Sequence, residues 1–133
     1  MRARKRKPEP LRVLIADDHR LFAEALEAIL TTDDRIEVVG QASDGGQAVE
    51  LARTLGPDVV LMDVSMPVLD GFEATREIRS ASDAVRVLML TGSNSRADVD
   101  RSRAAGASGY VTKDRIASEL VATIVEVTRR RLP

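Results

Sequence analysis

The stretch VVLMDVSMPVLDGFEATREIR, residues 59–79, decides how the rest of this chain is read. Val59, Val60, Leu61 and Met62 are apolar without alternation, the pattern of a short strand covered on both faces. Asp63 ends the run. Met66-Pro67 and Asp70-Gly71 then carry turn chemistry, because proline presets φ and glycine relaxes it. From residue 70 to 79 the pattern turns helical, with Phe72 and Ile78 facing a core. A central buried strand that feeds a helix through a tight turn is half of a βαβ unit, so it implies a parallel sheet.

Working outward, the same alternation repeats. Strands are expected over 11–16, 36–42, 59–62, 85–90 and 108–111, and helices over 19–30, 44–55, 70–79, 95–105 and 116–130. In the first helix Leu21, Phe22, Ala25, Leu26, Ile29 and Leu30 form the expected inward stripe, and in the second Ala48, Val49, Leu51 and Ala52 do. Gly56-Pro57 stops the second helix and Gly106 the fourth. The fourth helix has Val99 as its only large apolar residue, so it is expected to be loosely held. In the last, Leu120, Ile124 and Val127 share a stripe. Five strand–helix units with right-handed crossovers fit an α/β, flavodoxin-like, doubly wound five-stranded parallel sheet of order 2-1-3-4-5 with five helices.

The 133 residues suit one domain and contain no cysteine, which excludes disulfides, thiolate metal sites and cysteine nucleophiles. No apolar run is long enough for a membrane span, and a cytoplasmic location is expected. Residues 1–10 hold five cations (Arg2, Arg4, Lys5, Arg6, Lys7) and one anion, Glu9, with two prolines. They are expected to be a disordered basic leader, with the folded domain over 11–133. Of 20 cations and 21 anions the remainder keeps 15 and 20, a balance of −5. An acidic body with only Phe22, Phe72 and Tyr110 as aromatics argues against nucleic-acid binding by the domain itself.

The polar residues gather where such a sheet places its chemistry. Asp17 and Asp18 follow strand 1, Asp63 strand 3, Thr91 strand 4 and Lys113 strand 5. In the order 2-1-3-4-5, strands 1 and 3 are neighbours at the topological switch point. Three carboxylates converging there repel one another and raise each other's pKa values, which a hard divalent cation relieves. Magnesium suits, since it takes one or two carboxylates and keeps room for a phosphoryl oxygen. Lys113 offers an ammonium and Thr91 a hydroxyl to the same oxygens. This set can perform phosphoryl transfer with a carboxylate as acceptor. His19, the sole histidine, reads as a solvated neighbour in the first turn of helix 1.

The segments LIADDH, VVLMDVSMPVLDGFEATREIR, VLMLTGS and GASGYVTKD resemble, in order and at strand ends, the signature blocks of response-regulator receiver domains. The resemblance spans Leu11 to about Arg130 and is greatest to the NarL/FixJ class, whose members usually carry a LuxR-type helix-turn-helix. It implies that Asp63 accepts a phosphoryl group from a sensor histidine kinase. It also implies that Asp18, Asp63 and the Ser65 carbonyl ligate Mg2+, with Asp17 acting through water. Thr91 and Lys113 would bind the phosphoryl group, with Thr91 and Tyr110 as the switch pair, and homodimerisation is possible. DNA would be contacted only through an output domain that the residues after Lys113, enough for one helix, do not supply. Gly92 stands where alanine is usual, which should loosen that loop, and Asp114 where many receivers have proline. Ser65 and Ser93, two positions beyond Asp63 and Thr91, are small and should leave an acyl phosphate open to water.

Other chemistries fit less well. A phosphatase of the haloacid-dehalogenase type needs a second aspartate two positions after the nucleophile, where Ser65 stands. A flavin-binding flavodoxin needs a hydroxyl-rich phosphate loop after strand 1, where Asp17-Asp18 would repel phosphate. An interaction domain independent of phosphorylation would not need the full set of site residues.

Overall fold

The computed structural model describes residues 9–92 and 95–129. The first eight residues of the expected leader, Ser93, and Arg130 at the expected end of the last helix lie outside them. Five strands, β1 Leu11–Ala16, β2 Ile36–Ala42, β3 Val59–Asp63, β4 Arg86–Thr91 and β5 Gly109–Thr112, form one parallel sheet in the order β2-β1-β3-β4-β5. Between and after them run α1 Arg20–Leu30, α2 Gly45–Leu55, α3 Gly71–Ala81, α4 Arg96–Ala105 and α5 Ile116–Arg129. This is the expected flavodoxin-like arrangement.

The period of two along each strand sorts the core into two layers. Val13, Ile15, Val59, Leu61, Leu88 and Leu90 pack with Leu26 and Leu30 of α1 and Leu120 and Ile124 of α5. Leu14, Val60, Met62, Val87 and Met89 pack with Ala48 and Ala52 of α2 and Phe72 and Ile78 of α3 on the other face. β3 is buried along its whole length, as an apolar strand with helices on both sides must be.

Three expectations are corrected. The stripe of α1 is narrower than expected: Leu26 and Leu30 are buried and Phe22 packs against the same core, as expected, and Ala23 joins them, whereas Leu21 is 81% exposed and Ala25 and Ile29 also face solvent. Leu21, Ala25 and Ile29 repeat with helical spacing on the adjoining flank, and periodicity alone does not show where the buried face stops. Asp63 and Thr91 are the last residues of β3 and β4 rather than the first of the following loops, and β5 is displaced by one residue to Gly109–Thr112. A 3-10 turn, Lys113–Arg115, stands between β5 and α5, where a direct entry into the helix was expected. The α4 helix fully buries only Ser102 and Ala105, in keeping with its sparse apolar face.

The loop from β3 to α3 is closely fitted. Asp70 caps α3, its Oδ1 accepting from the Glu73 amide at 2.9 Å, and Asp44 caps α2 by accepting from the Gln47 amide at 2.8 Å. The Gly71 amide donates to the Val64 carbonyl at 2.9 Å. A Cβ on Gly71 would lie 2.2 Å from the Asp63 carbonyl oxygen, and one on Gly45 would lie 1.9 Å from that of Leu69. Within the loop Val68 has φ of 71°, while the Leu69 amide donates to the Pro67 carbonyl at 2.7 Å. That is a γ-turn of the strained hand, and the Val68 side chain is 83% exposed.

Candidate functional site

The ends of β1, β3 and β5 bring the expected residues together. Asp17 follows β1 and is 2% exposed; Asp63 closes β3 and is 3% exposed. Lys113, the first residue of the 3-10 turn, reaches back over the sheet edge. Its Nζ lies 3.0 Å from Asp63 Oδ1 and 3.7 Å from Asp17 Oδ2. The turn thus aims the lysine, which no periodicity in the chain could announce. The Lys113 ammonium also sits 4.7 Å from the centroid of the Phe22 ring on α1. Phe22 was read only as core, and its place beneath Lys113 had no signal in the chain.

Asp17, Asp18, His19 and Asp63 each offer a ligand atom within 4.8 Å of the others. His19 is not in the first turn of α1 but at its N-cap, and makes no side-chain capping bond there. Its amide donates to Asp17 Oδ1 at 2.8 Å, and its Nδ1 lies 3.3 Å from oxygens of both Asp17 and Asp18. Two buried carboxylate oxygens, Asp17 Oδ2 and Asp63 Oδ2, have no hydrogen-bond partner. Buried acceptors of this kind are costly unless something satisfies them, and a divalent cation among them would. The residues present therefore fit a magnesium ion.

The Asp63 carboxyl is held above the usual carboxylate value, first of all by burial and then by the charges of Asp17 and Asp18; the hydrogen bond and charge of Lys113 oppose this. The expected mutual repulsion contributes, and burial adds the larger share because Asp63 is the last residue of a strand covered on both faces.

Thr91, the buried last residue of β4, stands one position beyond Leu90, the in-register partner of Asp63, and pairs with Thr112 of β5. Tyr110 lies opposite Met89 on β5 and is 39% exposed. Ser65 lines a cavity of about 500 Å3 beside the site with Asp18, Met66, Asp70, Phe72 and Arg101. Arg101 of α4 stacks on the Phe72 ring at 4.0 Å, a contact between helices that was not foreseen. Gly92 is exposed, and a Cβ there would meet nothing within 4 Å, so space does not demand glycine.

The sequence profile of the response regulator receiver domain matches residues 13–125. Among curated proteins the chain is 35% identical over 125 residues to the probable transcriptional regulatory protein NarL of Mycobacterium tuberculosis, covering 94% of this chain and 58% of that protein. It is 40% identical over 114 residues to the response regulator GacA of Pseudomonas viridiflava, covering 86% of this chain and 53% of that one. The chain thus spans about half the length of the curated relatives it matches. Among solved structures, the signal receiver domain of the putative response regulator NarL from Mycobacterium tuberculosis superposes with a TM-score of 0.88 at 35% identity, covering 93% of this chain and all of that one. The response regulator domain of Thermotoga maritima CheB does so with 0.87 at 31% identity, with 93% and 100% covered. With its sheet order, its strand-end carboxylates and lysine, and these matches along nearly its whole described length, the chain belongs to the response-regulator receiver family.

Proposed function

We infer that this chain, like members of its family, which are mainly signalling switches of two-component systems with an acidic magnesium pocket, is a phosphorylation switch. We propose that Asp63 is the phosphoacceptor of this chain, taking a phosphoryl group from the phosphohistidine of a sensor kinase. The observation that carries this is the pairing at Asp63: Oδ1 is engaged by Lys113 at 3.0 Å while the buried Oδ2 has no hydrogen-bond partner.

In the transfer an Asp63 oxygen forms a bond to phosphorus as the bond from phosphorus to the kinase imidazole nitrogen breaks, and the electron pair stays on that nitrogen. Lys113 faces the reacting oxygens and offsets their charge. Asp18 and Asp63, with the Ser65 main-chain carbonyl, would hold magnesium directly, and Asp17 through water. Bound there, the ion supplies positive charge to the phosphoryl oxygens. Thr91 donates its hydroxyl to the transferred group, and Tyr110, half-exposed here, turns inward in the phosphorylated state. The output is control of transcription through a further domain, as in the relatives whose names describe them as transcriptional regulators. A cytoplasmic location follows from that role; among the described residues no helix is long and apolar enough to cross a membrane. Loss of the phosphoryl group by attack of water completes the cycle. Ser65 is exposed and small beside the site, so it leaves water access.

The test is intact mass after treatment with acetyl phosphate and magnesium. One phosphoryl adduct, labile to hydroxylamine, is expected; an unmodified protein under conditions that label other receivers would end the proposal.

Two variants probe the parts. Asp18→Ala is expected to weaken magnesium binding by at least about tenfold and Asp17→Ala by less, read from amide shifts during metal titration. Equal affinity in wild type and Asp18→Ala would remove Asp18 from the ligands. Thr91→Ala is expected to take up phosphoryl groups but to respond weakly. Beryllofluoride should move the amide signals of residues 95–113 in wild type and far fewer of them in the variant.

A further inference from the structure

We propose that His19 adds a nitrogen ligand to the acidic site, so that the site takes a zinc-class divalent ion far more tightly than its carboxylates alone would. The inference rests on the reading of Asp17, Asp18 and Asp63 as metal ligands and extends it. His19 Nδ1 stands 3.3 Å from Asp17 Oδ1 and 3.3 Å from Asp18 Oδ1. Ligand atoms about 2.0 Å from a tetrahedral zinc ion are about 3.3 Å from one another, so this spacing is that of a tetrahedron's edge. Asp63 offers a further ligand atom within 4.8 Å of the others, and its Oδ2 is buried without a hydrogen-bond partner.

The main chain holds the imidazole in place. The His19 amide is bonded to Asp17 Oδ1, and the side chain is not used as a helix cap. The ring is 69% exposed, so an ion reaches it from solvent. The chain has one histidine and no cysteine, which leaves His19 as its only imidazole or thiolate donor. Affinity for zinc-class ions is therefore concentrated at this one place. Imidazole suits such ions, whereas magnesium prefers oxygen ligands and retained water, so His19 separates the two classes. Four protein ligands would also close the coordination sphere and leave no position for a phosphoryl oxygen. A zinc-filled site is then a blocked form of the receiver, in competition with the magnesium form.

The experiment compares wild type, His19→Ala and His19→Gln. Zinc affinity is measured by competition with a chromophoric chelator and magnesium affinity by amide-shift titration. The single imidazole is followed through its nitrogen shifts. Both substitutions should reduce zinc affinity by about 10–100-fold while leaving magnesium affinity within about twofold, and zinc should move the imidazole Nδ1 signal in wild type. Unchanged zinc affinity in the two variants, or an unmoved imidazole signal, would overturn the proposal and leave Nδ1 as a hydrogen-bonding neighbour of the two carboxylates. A parallel loss of magnesium would overturn it too, since His19 would then only be holding the carboxylates in position. Magnesium binding by wild type reports separately on the parent reading: its absence would count against the carboxylates as the magnesium site, whatever zinc does.

Discussion

Asp63→Asn is expected to abolish the phosphoryl adduct and, without magnesium, to make the folded protein more stable at neutral pH. The first effect follows from chemistry. Asparagine keeps the size and can still accept from Lys113, but its amide is no nucleophile toward phosphorus. Intact mass after acetyl phosphate and magnesium should show complete loss of the adduct; a stoichiometric adduct that persists would place the acceptor elsewhere. The second effect follows from burial. The folded state holds the Asp63 carboxyl above its ordinary value of 3.8, so the folded protein retains that proton more strongly than the unfolded chain does. Below the ordinary value both states are protonated at this group, and wild type and variant differ little. As pH rises above it, the unfolded chain ionises freely while the folded one resists, so wild type loses stability relative to the variant. At pH 7 the variant should therefore unfold at a higher temperature than wild type, and the difference should shrink toward pH 4. Magnesium should narrow the gap by stabilising wild type alone. Thermal unfolding at pH 4 and pH 7 decides it: a variant less stable than wild type at pH 7 would mean that the ion pair with Lys113 outweighs burial.

Gly71→Ala is expected to be the most damaging single methyl that can be added near the site. The new Cβ would lie 2.2 Å from the Asp63 carbonyl oxygen and 2.9 Å from Val64 Cα. Both are backbone atoms, and one belongs to the acceptor residue itself, so the end of β3 or the start of α3 must move. A displacement of this kind costs about 2–4 kcal/mol, and it also disturbs the hydrogen bond that the Gly71 amide donates to the Val64 carbonyl. Because Asp63 moves with its carbonyl, the rate of phosphoryl uptake should fall as well. Gly45→Ala should be comparable, since its Cβ would meet the Leu69 carbonyl on the other side of the same loop. Gly92→Ala is the control: nothing lies within 4 Å, and its cost should stay within about 0.5 kcal/mol. Urea unfolding of the three variants tests the ranking. A Gly71→Ala protein as stable as wild type would show that the loop yields easily.

Most of the fold was legible because one physical rule governs it. Strands covered on both faces are apolar, and the run Val59–Met62 announces this, although the strand extends one residue further to Asp63. Convergence of Asp17, Asp18 and Asp63 followed from topology, since the sheet order makes the ends of β1 and β3 neighbours. What periodicity could not supply was orientation and geometry. The expected stripe of α1 was too wide, and its flank with Leu21 and Ile29 faces solvent. Lys113-Asp114-Arg115 has no apolar residue from which a 3-10 turn could be read, yet that turn aims Lys113 at Asp63 rather than equally at Asp17. The placement of His19 against two carboxylates and of Phe22 under an ammonium are side-chain facts, invisible to spacing rules.

The γ-turn at Val68 has a consequence for motion. A β-branched residue disfavours a positive φ, and its side chain is in water, so little packing holds it there. The segment beside the acceptor is therefore the least costly part of the site to open. Its amides, Leu69 on Pro67 and Gly71 on Val64, should exchange hydrogen for deuterium well before those of β3, through local excursions that leave the sheet intact. Glycine at position 68 would relax the turn and slow that exchange. The acceptor is thus anchored in a strand buried along its whole length, while the wall next to it is expected to open independently of the sheet.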